Sequence, residues 1–420
     1  MAALSLNLAG WWRHRAPGPD LRRILLAAIL YNVGLSAYLF LFSLFLMDHG
    51  FTERTLGLVA TAMVLGTMAG TLPIGLLAAR FGLSRVVLTC LLLVGPIFIA
   101  RTAFLTLPIQ LALAFLSGMV VCGWVVGLSP LVAGVSTEAK RPFAFSLLFS
   151  VAILSCGAGG FLGGHLPGWL ARVVHSPSQS AVLIAGSLLA MTAAWPIARL
   201  TPALRHALAP SPTRSILPPT HLLRFFAAGS FYAAAIGCFT PFVGVFFVHR
   251  LGFGLGPLGT LFSVLQALEA LAVLAMPFLL RRLSLPSGIL ATQLAGACSL
   301  TLLAGSHGGL QSAIGLCGYL AAFHMSEPFF QTLLMNRAAP QERSSASAAW
   351  FLANSLAQAA AATLGGAIIA RYGYPVLFAG AIAAMIAAAA CLRLALQPTQ
   401  QGRPEAPSPM PEIEVNPIGV

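Results

Sequence analysis

The chain has 420 residues, of which 58% are hydrophobic and only 8% charged, against about 25% charged in soluble domains. So few charges cannot cover a water-facing surface, which excludes an ordinary soluble domain and leaves a chain that faces lipid. The net charge of +13 invites a nucleic-acid reading, but the placement of the basic residues, taken up below, explains it otherwise.

In chain order, a basic segment at 1–23 is followed by apolar windows at 24–47, 55–79, 84–106, 108–134, 143–173 and 180–200. A polar stretch at 201–222 intervenes. Further windows follow at 223–248, 256–281, 285–306, 309–336, 345–371 and 373–396, and a Pro- and Gln-rich tail at 397–420 is expected to be disordered. About 20 apolar residues cross a bilayer as a helix. Helices are required because backbone groups cannot go unpaired in hydrocarbon, and the sequence lacks the alternation of a barrel. The expectation is an all-α membrane protein with twelve transmembrane helices in two six-helix bundles, 24–200 and 223–396.

Of the 23 Lys and Arg residues, Arg54, Arg101, Arg172, Arg250 and Arg371 fall to the odd-numbered loops; the other 18 fall to the termini and even-numbered loops. That bias places both termini, and the 201–222 linker, in the cytoplasm. It orients the protein without any nucleic acid. A cysteine introduced at Ser211 is expected to resist an impermeant thiol reagent applied to intact cells; ready labelling would overturn the topology. The seven native cysteines all lie within predicted spans and read as free apolar fillers. No CxxC or Cys/His metal spacing is present, and no cleavable signal is read at the N-terminus.

The two halves repeat. An offset of 202 residues brings Phe40, Phe45, Gly50, Phe51, Leu56 and Gly57 onto Phe242, Phe247, Gly252, Phe253, Leu258 and Gly259. Without a gap it also brings Arg141, Ala144, Phe149, Leu162, Gly163 and Gly164 onto Arg343, Ala346, Phe351, Leu364, Gly365 and Gly366. One offset serving two distant regions implies a duplicated six-helix unit.

"GLLAARFGLSRVV" at 75–87 resembles the signature loop between helices 2 and 3 of the major facilitator superfamily, with Gly75, Arg80, Gly82 and Arg85 matching. Ala79 stands where that pattern has Asp, and Ser84 replaces a basic residue. "SCGAGGFLGG" at 155–164 is similar to the family's antiporter motif in helix 5 through Gly159, Gly163 and Gly164, with Gly160 replacing its proline. The arginine that many proton-coupled relatives carry on helix 4 is missing; Ala114 or Phe115 stands there. The resemblance covers about 24–396. It implies an alternating-access carrier whose helices 1, 2, 4, 5, 7, 8, 10 and 11 surround a central pathway. Arg80 and Arg85 could clamp two helix ends through carbonyls and a facing acid, with Gly82 allowing the turn; the alternative is that they only orient the chain. The glycines of helix 5 are expected to pack closely, against helix 8 of the other half.

An ionisable group deep in a membrane usually faces a cavity or a partner. Glu269 in helix 8, and His324 and Glu327 in helix 10, are such groups. They head helical stripes: Ser263, Gln266 and Glu269; His324, Glu327 and Gln331; Trp350, Asn354 and Gln358 on helix 11. The first half offers Asn32, Ser36 and Ser43 on helix 1, with aromatics Tyr38, Trp124 and, in the second half, Tyr232. The resemblance implies that these line the pathway; interhelical hydrogen bonds worth about 1 kcal/mol each are the alternative. Burial and a neighbouring imidazolium act on a carboxyl's proton affinity in opposite senses. Glu327 is therefore expected to carry a coupling proton tuned by His324, with Glu269 a second proton site or a polar anchor. Pro328 lacks the N–H that would bond the His324 carbonyl, so a kink is expected there.

No catalytic motif competes, and His324-x-x-Glu327 supplies only two ligands toward a metal, so no enzyme activity, cofactor or metal is expected. The reading is a secondary active transporter of a small organic solute. Protons are its expected coupling ion, export is favoured over uptake, and it works as a monomer in a bacterial inner membrane. A non-transporting sensor or a lipid scramblase on the same fold is the alternative.

Overall fold

Breakers and caps set the helix boundaries in a computed structural model of the chain. It describes residues 18–137, 141–172, 178–201, 222–280, 284–306, 308–338 and 343–396. The basic N-terminal segment to residue 17, the linker at 202–221 with Ser211, Lys140, Arg281, Arg282 and the tail from 397 lie outside these residues, with the expectations attached to them.

In the first half the helices are α1 (Pro19–Asp48), α2 (Glu53–Phe81), α3 (Leu83–Ala103), α4 (Leu107–Val135), α5 (Arg141–Leu170) and α6 (Ser178–Thr192). In the second they are α7 (Leu223–Gly237), α8 (Leu255–Leu280), α9 (Leu285–Ala304), α10 (Gly309–Arg337), α11 (Arg343–Tyr372) and α12 (Tyr374–Leu396). A short helix, Ala194–Ala198, extends α6, and a 3₁₀ turn and a π-helical turn carry α7 on to Arg250. Among the described residues there is no strand, and ten helical segments are long and apolar enough to cross a membrane. α8 is described as apolar over Leu255–Leu271. α10, which carries His324 and Glu327, runs unbroken through residue 328, so Pro328 does not end the helix.

Thr52 caps α2: its hydroxyl accepts from the Thr55 amide at 3.4 Å while the Thr55 hydroxyl accepts from the Thr52 amide at 2.9 Å. Gly82 separates α2 from α3 with φ +89°, a conformation that disfavours any side chain, which is the reason for a glycine there. Gly50 and Gly252, related by the 202-residue offset, share φ values of +87° and +71°. The repeat seen in sequence is thus a repeat of local backbone geometry.

α1 to α6 pack together, as do α7 to α12, and the bundles meet through α2 with α11 and α5 with α8. The meeting surfaces are glycine seams, and the 202-residue offset relates them. A methyl group at Gly57 on α2 would collide with the Ala362 carbonyl oxygen and stand 3.4 Å from Gly366 Cα on α11. Its counterpart Gly259 on α8 would stand 2.8 Å from the Gly160 carbonyl oxygen and 2.9 Å from Gly164 Cα on α5. Positions 57, 362 and 366 become 259, 160 and 164 under the same offset, as a two-fold relation between halves demands. Backbone-to-backbone approach of this kind maximises dispersion where lipid supplies no hydrophobic drive.

One expectation is corrected. Gly164 packs on α8, but Gly159 and Gly163 pack on α1 of their own half, a methyl at Gly163 standing 2.9 Å from the Ala37 carbonyl oxygen. The cause is helical spacing: 159 and 163 form one face, while 160 and 164 form the next face round. Gly75 has open space around it, and Arg80 and Arg85 are exposed with no ion pair or side-chain hydrogen bond to another described residue. With Ala79 in place of an acid, these two arginines clamp no helix end among the described residues.

Candidate functional site

The seams, the Thr61–Thr363 hydroxyl contact at 2.7 Å and the Ser263 hydroxyl bond to the Gly157 carbonyl at 2.8 Å all lie toward the Gly50 end of the helices. Between the bundles lies a cavity of about 730 Å³, which reaches from the level of the seams, at Leu56, Gly160 and Ala362, to mid-helix at Asn32 and His324. α1, α2 and α5 contribute to its wall from the first bundle, with Arg101 from α3; α7, α8, α10 and α11 contribute from the second. Phe149 on α5 and Phe351 on α11, again related by the 202-residue offset, continue the cavity-facing stripes of those helices toward the Gly82 end. Both are exposed.

Of the residues expected at the pathway, Asn32, Ser36, Ser43, Gln266, His324 and Gln358 line this cavity. Ser36 also donates to the Cys156 carbonyl at 2.8 Å, tying α1 to α5. Tyr38, Trp124 and Tyr232 do not line it. Tyr38 is buried, donates to the Phe98 carbonyl at 3.1 Å and packs on Phe42 and Phe98. Trp124 is buried against Tyr31, ring centroids 4.8 Å apart. The Tyr232 hydroxyl points at the carbonyls of Ala322 and Phe323 on α10. Buried tyrosine hydroxyls seek a partner, and here carbonyls within each bundle supply it. Phe40, Phe42 and Phe262 supply the aromatic wall instead. Asn354 faces Gly229 on α7, and Trp350 stacks on Phe225, both inside the second bundle. The Gln331 side chain lies outside the described residues.

The stripe on α8 divides its work. Ser263 bonds across the seam, Gln266 faces the cavity, and Glu269 turns to α10. Glu269 is 3% exposed, and its Oε2 lies 3.4 Å from His324 Nδ1 while its Oε1 has no hydrogen-bond partner. His324 Nδ1 is also 3.0 Å from the Leu320 carbonyl. Both neighbours of Nδ1 are acceptors, which assigns the proton of a neutral imidazole to Nδ1 and leaves Nε2 able to take another. The contact therefore joins two helices, whereas the sequence suggested a His324–Glu327 pair along one. Glu327 sits one turn further along α10, half-buried.

Arg101 was missed. Counted as an outer-loop charge, it lies within α3, is 2% exposed and forms part of the cavity wall. The signal that finds it is an arginine counted in the last turn of an apolar span rather than beyond it, since burying an unmatched charge there is costly too. Among the described residues no group of three or more His, Cys, Asp or Glu side chains is placed to hold a metal.

Two helical bundles are joined by seams, with a polar-spotted cavity between them. The chain belongs to the Major Facilitator Superfamily, whose family model matches residues 24–362, and it is a membrane transporter. No curated protein matches it. The nucleoside transporter NupG superposes with a TM-score of 0.75 at 12% identity, over 90% of this chain and all of that one. A bacterial homologue of the iron transporter ferroportin gives 0.68 at 14%, over 90% and 98%. The human organic anion transporter MFSD10 gives 0.61 at 15%, over 89% and 99%. At these identities the likeness shows the fold.

Proposed function

We propose that the chain moves a small organic solute by alternating access, driven by protons, with export favoured over uptake. The observation that carries the reading is the Glu269–His324 contact beside the cavity. Both residues belong to the second bundle, so rocking of the bundles turns the pair from one side of the membrane to the other without breaking it. α8 links this pair to the seam: Gly259 and Ser263 meet α5, Gln266 meets the cavity, and Glu269 meets His324. A change of charge at Glu269 thus acts on the helix that opens and closes the Gly50 end. Glu327, one turn along α10, is the second site through which a proton can pass to the open end. The charge bias makes the Gly82 end cytoplasmic and the Gly50 end, where the seams lie, the outer one, with both termini in the cytoplasm of a bacterial inner-membrane protein.

Counterflow in proteoliposomes tests the reading, using a labelled solute selected by thermal-shift screening. A transporter exchanges the label against its own gradient of unlabelled solute, and the exchange persists without a pH gradient. Binding without exchange would leave a sensor, and movement of fluorescent lipid between leaflets without solute exchange would leave a scramblase.

A further inference from the structure

The first bundle places a single kind of charge at the cavity, and it is poorly satisfied. Arg101 Nη1 donates to Ser117 Oγ on α4 at 3.2 Å and lies 4.0 Å from Met63 Sδ. Nε has no partner, and no described carboxylate lies within ion-pair distance. The rest of its surroundings is aromatic, with the Phe42 and Phe98 ring centroids 4.4 and 5.6 Å from the guanidinium carbon. A guanidinium offers five donors in a fixed fork. Buried arginines in membranes are normally matched by acids or carbonyls.

A purely structural role explains this poorly. The α3–α4 connection is already held by Gln110, whose side-chain amide donates to the Arg101 carbonyl and, at 2.7 Å, to the Phe104 carbonyl. Arg101 stands in the last turn of α3, where the helix dipole favours a cation, but a side chain serving only that purpose could reach solvent, whereas this one is 2% exposed. What the site lacks is an anion, and the free side of the guanidinium meets the cavity beside Phe42, Met63 and Thr67. Planar oxyanions fit that fork with two parallel bonds. The wall next to it is apolar.

We propose that Arg101 anchors an acidic group of the cargo, so that the transported solute is an amphipathic organic anion with its acid on the first bundle and its apolar body along Phe42, Met63 and Phe262. This rests on the transporter reading and names its substrate class.

The test uses the purified full-length protein and thermal unfolding with benzoate, 4-phenylbutyrate and indole-3-acetate. Each is compared with its uncharged amide and with inorganic phosphate. At least one acid is expected to raise the melting temperature by about 2 °C or more, and its amide and phosphate are not. Arg101→Gln should weaken that acid about 10- to 100-fold, and Arg101→Lys should weaken it less. Without ligand, Arg101→Gln should melt at or above the wild-type temperature, because an unpaired buried charge is gone; a structural arginine would give the opposite sign. The proposal is overturned if acids and amides act alike, if phosphate acts as well as the acids, or if Arg101→Gln binds the acid as wild type does. Should Arg101→Gln not fold, the wild-type acid-against-amide comparison and Arg101→Lys decide. Failure of counterflow with the acid-specific shift intact would remove the transport reading and leave the anchor. Normal exchange of an uncharged solute by Arg101→Gln would keep transport and remove the anchor.

Discussion

Glu269→Gln is expected to abolish proton-driven accumulation while leaving solute exchange measurable. The amide keeps the shape of the carboxyl and can still face His324, but it neither gains nor loses a proton. In proteoliposomes, a carrier moving one proton per solute builds about a tenfold solute gradient for each unit of pH difference, since one unit is worth about 1.36 kcal/mol. The variant should stop at equal concentrations on both sides, yet exchange labelled for unlabelled solute. Glu327→Gln, measured alongside, separates the two acids. If it alone collapses the gradient, the proton rides on Glu327 and Glu269 only positions His324. Accumulation by both variants at the wild-type ratio would sink the coupling assignment altogether.

The second large effect is expected at the seam. Any side chain at Gly164 must displace the Leu255 carbonyl and Gly259 Cα, 2.5 and 2.7 Å from where its Cβ would lie. Those are backbone atoms of the other bundle, so they yield only if α5 and α8 separate. Gly164→Leu should therefore insert and fold, since each bundle is intact, but fail to close the Gly50 end. Counterflow is expected to fall to background while size-exclusion behaviour stays that of wild type. Gly163→Leu should behave differently. Its Cβ meets the Ala37 carbonyl oxygen and Phe40 within the same bundle, so overpacking costs about 1–3 kcal/mol of bundle stability and lowers yield before it lowers turnover. Normal exchange by Gly164→Leu would show that the seam is not a gate.

The sequence conveyed the bundle architecture because that rests on long-wavelength signals: apolar windows, the charge bias and the 202-residue offset. It also singled out Glu269 and His324, because burying an ionisable group leaves a mark in composition alone. The partner assignment was harder to read. Residues three apart share a face only over one or two turns, so Ser263, Gln266 and Glu269 drift round α8 and reach three different neighbours. Aromatic residues carried the least information. Tyr38 sits on a cavity-lining helix yet points into its own bundle, Trp124 lies on α4, which adds nothing to the wall, and hydropathy does not distinguish a cavity-facing ring from a core one. Arg101 was legible in principle; it was lost by being counted among loop charges that lie only a few residues away.

The two ends of the cavity are made of different material. The Gly50 end shuts glycine against backbone, where no rotamer is frozen on contact. At the Gly82 end Phe149 and Phe351 stand exposed on the stripes that would converge, and shutting there must immobilise side chains, at about 0.5–1.5 kcal/mol for each one ordered. The ligand-free carrier is accordingly expected to rest with its glycine end shut. Bound cargo then has a thermodynamic task beyond being carried: its contacts must offset the side-chain entropy lost when the aromatic end closes over it.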